Sequence, residues 1–310
     1  MAELISLVVP CYNEEQSIPL FYQTVEKVTE KMPDYDFEYV FINDGSTDHS
    51  LDEMRQLHHQ DPERVHYIAF SRNFGKESGL YAGLQNAKGD YVAVMDVDLQ
   101  DPPELLPEML KGIIEEGYDC VGTRRVDRKG EPPIRSFFSN MFYKFINKIS
   151  KTEIVNGARD YRLMTRQMVN AVVGMTEVNR FSKGLFSWVG FKTKYIPYEN
   201  VDRAAGQTHW SFSQLMSYAI DGIIDFSDAP LNFASWVGLL SFLGSLIAII
   251  FIIIRKIVHG DPTPGWPSMV AIFLMVGGLQ LFCLGIVGKY IGKIYLETKH
   301  RPIYIVKEKK

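Results

Sequence analysis

The stretch "YVAVMDVDLQDPPE", Tyr91 to Glu104, closes a short apolar run with three carboxylates, Asp96, Asp98 and Asp101, inside six residues. The uncharged run of Tyr, Val, Ala and Met reads as a buried strand, and the prolines after Asp101 open a helix. Like charges this close repel, so a cation has to offset the clustering. Mg2+ prefers oxygen ligands and is typically held by one or two carboxylates together with substrate phosphates. In an extended segment Asp96, Asp98 and Gln100 alternate onto one face, which makes them the candidate metal ligands. Asp101 has a plainer reading: it caps the next helix, with Pro102 at the first helical position and Glu104 at the third.

Outward from this stretch the same pattern recurs. "ISLVVP", "YVFIND", "VHYIAF" and "YDCVGT" are further strand-like runs, and segments such as "SIPLFYQTVEKVTEKM" and "PPELLPEMLKGIIEEG" between them carry helical periodicity. Such alternation predicts an α/β fold, a mostly parallel sheet flanked by helices. Ligands of these sheets bind beyond the carboxyl ends of the strands. Here those ends are "PCYNEE", "NDGSTD", "SRNFGKE", "DVDLQD" and "TRRVDRKG", all polar. In "NDGSTD", Asp48 reads as a helix cap, and Asp44 as a turn residue before Gly45 or a ligand contact. Neither G-x-G-x-x-G nor G-x-x-x-x-G-K-[ST] follows the first strand, which argues against a nicotinamide-dependent enzyme and a P-loop nucleotidase.

The last third of the 310 residues has a different character. No charged side chain occurs from Ala229 to Ile254, nor from Pro262 to Gly288. Each run exceeds the roughly 20 apolar residues that cross a bilayer, so transmembrane helices are expected at 229–257 and 266–292. The short Pro- and Gly-rich link makes them an antiparallel hairpin with both termini on one side. The Lys-rich tail at 293–310 marks that side as cytoplasmic, although Arg255 and Lys256 lie opposite. Residues 132–150 read as an amphipathic helix on the membrane surface or an ordinary core helix, and 211–228 as a juxtamembrane helix. The soluble domain is expected at residues 1–225, and no cleavable signal in "MAELISLVVP". The scattered Cys11, Cys120 and Cys283 match neither a metal spacing nor a disulfide framework, and a net charge of −4 gives no reason to expect nucleic acid.

Taken together, "VVPCYNEE", "INDGSTD" and "MDVDLQDPPE" resemble the inverting nucleotide-sugar glycosyltransferases of family 2, which have the GT-A fold. With the C-terminal hairpin, the chain resembles the polyprenyl-phosphate group of that family, which holds dolichyl-phosphate mannose synthases and bactoprenol glucosyltransferases. The resemblance implies Mg2+ or Mn2+ at Asp96, Asp98 and Gln100. It places Pro10, Tyr12 and Glu14 in the first nucleotide-contacting loop and Asp44 at the base or ribose, and brings Asn73, Gly75 and Lys76 towards the nucleotide. The acceptor that the resemblance implies is a lipid phosphate, largely dianionic at neutral pH, which needs cations rather than a strong base. Arg124, Arg135 and Ser139 match the acceptor-phosphate site, while Arg125, Arg128 and Lys129 read equally as a basic patch facing anionic headgroups. Asp160 lies where related transferases place a catalytic acid, and reads also as a group that positions sugar or arginine. Arg203, His209 and Trp210 in "RAAGQTHWSF" match a segment that closes over the diphosphate and sugar.

The resulting expectation is transfer of one sugar, from UDP-glucose or UDP-N-acetylglucosamine, to undecaprenyl phosphate at the bacterial inner membrane. A lipid-sugar flippase and a downstream glycosyltransferase are the implied partners. The alternatives are a polysaccharide synthase acting on a sugar hydroxyl and an inactive membrane scaffold. The absence of the processive Gln-x-x-Arg-Trp signature favours a single transfer. The alternation in "RPIYIVKEKK" suggests a strand added to a neighbouring subunit, hence a homo-oligomer.

Overall fold

The computed structural model describes residues 2–126, 141, 147–149, 155–199, 220, 222–259 and 265–310. Arg128, Lys129, Arg135, Ser139, Arg203, His209 and Trp210 lie outside the described residues, as do most of the helices expected at 132–150 and 211–228.

Five strands occur before residue 126: β1 (Glu3–Cys11), β2 (Tyr35–Asn43), β3 (Val65–Phe70), β4 (Tyr91–Val94) and β5 (Cys120–Arg125). Between them run α1 (Ser17–Thr29), α2 (Ser50–Gln60), α3 (Lys76–Asn86) and α4 (Leu106–Ile114). Then come β6 (Ala158–Thr165), α5 (Arg166–Gly174), α6 (Ser182–Trp188), β7 (Thr193–Tyr198), α7 (Ala229–His259), α8 (Trp266–Thr298) and β8 (Val306–Lys309). The strands form one sheet in the order β7-β5-β6-β4-β1-β2-β3-β8. The expected mostly parallel sheet is present: β1 to β4 run parallel, as do β5 and β7, while β6 and β8 run antiparallel to their neighbours.

Period-two alternation in the central strands builds two cores. Ile5, Leu7 and Val9 of β1 and Tyr39 and Phe41 of β2 pack with Phe21 of α1, Met54 of α2 and Met109 of α4. Val8, Val40 and Ile42 point the other way, against Leu80 and Leu84 of α3, Met168 of α5 and Phe186 of α6. A parallel sheet has to be covered on both faces, so its strands read as nearly continuous apolar runs. Gly83 lets α3 approach the sheet, since a Cβ there would stand 2.1 Å from Val8 Cγ1.

Topology also decides which loops meet. The carboxyl ends of β1 to β4 share one edge. Because β6 runs antiparallel with Arg162 beside Val94, its first residues, Arg159 and Asp160, come to that same edge. Arg124 pairs with Ala158 and places the end of β5 there as well.

Helices α7 and α8 contain stretches, Ala229–Ile252 and Ile272–Thr298, long and apolar enough to cross a membrane. Their 24 and 27 residues run about 36 and 40 Å. Trp236, Leu240, Phe251, Phe273 and Leu281 all stand more than half exposed. An apolar surface of this extent marks association with a bilayer. Beyond 292, where the second span was expected to end, α8 continues to Thr298 and docks on the α/β body. Glu297 Oε1 accepts the backbone N–H groups of Val178 (2.9 Å) and Asn179 (3.0 Å), and Lys293 pairs with Asp225 at 3.4 Å.

The C-terminal segment corrects one expectation. It adds a strand, but to its own sheet: β8 pairs antiparallel with β3, Tyr304 stacks on Phe70, and Arg55 grips Glu308 at 3.1 and 2.5 Å. The apolar alternation reflects pairing within the chain, so the motive for an oligomer through this strand falls away.

Candidate functional site

The site is built on the shared carboxyl edge. Asp44 follows β2, and its buried carboxylate accepts the N–H groups of Phe74 (2.6 Å) and Gly75 (2.9 Å), tying the loop after β2 to the loop after β3. Burial pushes the Asp44 carboxyl up, and the two N–H donors and Arg72 work against that rise. Gly45 makes the crossing feasible, since at φ +65° a Cβ would lie 2.3 Å from the backbone of Arg72. Asp48 takes the N–H and hydroxyl of Ser50 at 3.0 and 2.6 Å, and so holds the start of α2 from two residues upstream.

The loop after β1 is tied to the same neighbours. Asn13, at φ 56°, accepts from Thr47 N (2.8 Å) through its side chain and donates from its backbone to Ser46 Oγ (3.0 Å). Glu14 accepts the Ser17 hydroxyl at 2.6 Å, and Pro10 and Tyr12 line this loop half-buried.

The acidic stretch departs from its expected shape. β4 ends at Val94, and Leu99 adopts φ 56°, so residues 96–100 turn rather than extend. The face expected from strand alternation is therefore absent. Asp98 is buried and its Oδ1 accepts Gln100 N at 3.1 Å. Asp101 is not a helix cap. The next helical turn begins at Pro103, and Asp101 lies buried with Arg159 Nε at 3.0 Å and the Tyr198 hydroxyl donating to it. Its second oxygen has no hydrogen-bond partner among the described residues. Burial raises the Asp101 carboxyl, and the Arg159 charge opposes the rise.

Asp96 and Asp160 meet at one ammonium. Lys76 Nζ lies 2.7 Å from Asp96 Oδ1 and 2.5 Å from Asp160 Oδ2. Burial alone would raise the Asp160 carboxyl, but the charges of Lys76, Lys183 and Arg162 hold it far below the ordinary carboxylate range. The same pairing raises Lys76, against the pull of burial. Asp160 is thus anchored as the ion-pair partner of Lys76.

Two arginines that sequence reasoning passed over complete the arrangement. Arg159 binds Asp101 and reaches Gln100 Oε1 at 3.5 Å. Buried Arg162 donates to the carbonyls of Arg159 (2.8 Å) and Asp160 (3.2 Å), with its guanidinium 3.9 Å over the Phe186 ring. Their signal was the run "RDYR" around Asp160; nothing local pointed to Tyr198. Arg124 is exposed at the end of β5.

Asp96, Asp98 and Gln100 offer only oxygen donors, the set that suits Mg2+ or Mn2+ completed by phosphate. Among the described residues no cluster of three or more His, Cys, Asp or Glu is arranged as a full cage. A site of two carboxylates that relies on a phosphate ligand needs none, so the residues fit such an ion.

Comparison with known proteins gives the family and the fold. CsbB of Bacillus subtilis (strain 168) is 46% identical over 98% of this chain and 92% of its own. The bactoprenol glucosyl transferase of Shigella phage SfV is 42% identical over 99% of each. The mannosyltransferase PcManGT of Pyrobaculum calidifontis, solved with GDP-mannose and Mn2+, shares the fold at TM-score 0.52 and 15% identity, covering 94% of this chain and 88% of that one. The family model of glycosyl transferase family 2 matches residues 6–173, and the chain belongs to that family.

Proposed function

We propose that this glycosyltransferase moves a single sugar from a nucleotide sugar to a polyprenyl phosphate, with inversion at the anomeric carbon. The relatives named bactoprenol glucosyl transferases support the acceptor class, and UDP-glucose is the first donor to test. The observation that carries the reading is the Asp160–Lys76 pair. An acid locked in this way is unsuited to deprotonating a hydroxyl, whereas a phosphate monoester with a second pKa of about 6 arrives already ionised.

In this reading Asp96, Asp98 and Gln100 hold Mg2+ or Mn2+, which when bound takes up charge on the departing nucleoside diphosphate. Pro10, Tyr12, Glu14 and Asp44 shape the nucleotide side of the cleft. Arg159 and buried Arg162 keep the start of β6, and with it Asp160, in register with the acidic turn. Arg124, with Arg135 and Ser139, grips the acceptor phosphate, and Arg203 and Trp210 close over the donor. The hairpin crosses the bacterial inner membrane twice and returns the chain to the catalytic, cytoplasmic side. The return of β8 to the sheet supports that topology, since both ends of the hairpin then adjoin one body. A lipid-linked sugar made on that face requires a flippase and a second transferase to reach an exported acceptor.

The test supplies radiolabelled UDP-glucose, UDP-N-acetylglucosamine and GDP-mannose with undecaprenyl or dolichyl phosphate. The expected product is chloroform-extractable, labile to mild acid and lost on chelation of divalent ions. Label in a large water-soluble polymer would identify a polysaccharide synthase, and no transfer from any donor would identify a scaffold.

A further inference from the structure

The cation nearest the acidic turn is supplied by the chain itself. Lys76 is the first residue of α3, and its ammonium lies 2.7 and 3.0 Å from the two oxygens of Asp96 as well as 2.5 Å from Asp160. The side chains of Lys76, Asp96 and Asp160 are 34%, 21% and 17% exposed, so the cluster faces solution on one side. The start of α3 is fixed independently, since Glu77 accepts the Ser182 N–H at 2.9 Å. Movement of the ammonium therefore falls to the flexible four-carbon stem, which can pivot about Asp160 without shifting the helix.

A divalent ion that takes Asp96 as a ligand needs the oxygens Lys76 now occupies, and would stand within a few ångströms of a positive charge. The loss is one-sided for the ion alone. A nucleoside diphosphate changes the balance, because its negative charge accommodates both cations at once.

We infer that Lys76 is a built-in competitor for the divalent ion: it covers Asp96 in the free protein and yields that carboxylate when ion and diphosphate arrive together. Asp160 keeps the ammonium nearby throughout. The ion alone binds weakly, and nucleotide strengthens its binding beyond what direct contact with phosphate contributes. The inference rests on the metal assignment above and adds to it a reason for ordered, coupled loading.

The experiment measures Mn2+ binding to the purified full-length chain by the electron paramagnetic resonance of free Mn2+, with and without UDP. Lys76→Met is expected to bind Mn2+ alone roughly tenfold more tightly than wild type, within the usual range of site–site coupling, and UDP then adds correspondingly less. Lys76→Arg keeps the charge and stays within about twofold of wild type on the same scale. Thermal unfolding verifies that each variant is folded, and Lys76→Gln replaces Lys76→Met if that variant is not. Mn2+ binding alone that is no tighter in the folded neutral variant overturns the inference and leaves the transfer reaction standing. Wild type that transfers sugar yet binds no Mn2+ with UDP overturns the metal assignment, and the inference with it.

Discussion

At the carboxyl edge of the sheet, Lys76 is shared by Asp96 and Asp160, and Arg159 meets an Asp101 only 2% exposed. Along the outer edge, Arg55 meets Glu308 with 45% of its side chain in solvent. Both regions pair a carboxylate with a cation, but they differ in what surrounds the pair. In the interior, removing one partner strands an uncompensated charge, whereas at the surface water replaces the lost partner. The inner pairs therefore fix acids in place at the site, and the outer pair merely fastens β8 to α2. The comparison explains why a cluster of acids is tolerable at one edge, and why a charged strand serves well at the other, where unpaired backbone would otherwise be exposed.

The sharpest way to break this contrast is Asp98→Ala. Loss of a ligand at the acidic turn is expected to lower transfer by roughly 10³-fold while thermal unfolding in detergent stays near that of wild type. Near-normal turnover would remove the metal assignment. Next comes Arg159→Met, which leaves Asp101 buried without its cation and should cost about 3 kcal/mol of stability. A variant as stable as wild type would show that the inner pair behaves like a surface pair. Arg55→Ala should cost less than about 1 kcal/mol, with sugar transfer unchanged.

The smallest effect is one of pH. The hydrogen bond from Arg55 is the first cause, and that from Tyr67 the second, that bring Glu308 down to about 2. An ordinary glutamate titrates at about 4.3. A depressed carboxylate contributes stability that is complete above its unfolded value and fades as pH falls through its folded one. Protection of the 306–309 amides, taken as hydrogen exchange relative to the unfolded chain at the same pH, should therefore be constant above about pH 5 and fall between about pH 4.3 and 2. Protection that stays unchanged down to about pH 2 would show that the pair does not hold the strand.

The acid turn shows how far local pattern reaches. "MDVDLQD" announced clustered carboxylates and the need for a cation, because like charges in adjacent positions are unfavourable in any fold. It did not announce that Leu99 would turn left-handed, nor that Asp101 would forgo capping for Arg159 and Tyr198, residues 58 and 97 positions away. Arg159 and Arg162 went unnoticed for the same reason, since an arginine in a strand looks like a surface residue until the neighbouring strands are known. The strand-like alternation of the tail was legible, but its partner was not, because pairing within a chain and between chains leaves the same pattern.

By itself the sequence determined the strand–helix alternation, the apolar hairpin and the acidic cluster after β4, all of which follow from periodicity, composition and charge over short spans. Only the tertiary structure decided that antiparallel β6 lies beside β4, which brings Arg159 and Asp160 to Asp96 and delivers Lys76 between the carboxylates. Strand order is settled by how whole faces pack, and a buried charge acquires its partner only once that packing has chosen its neighbours.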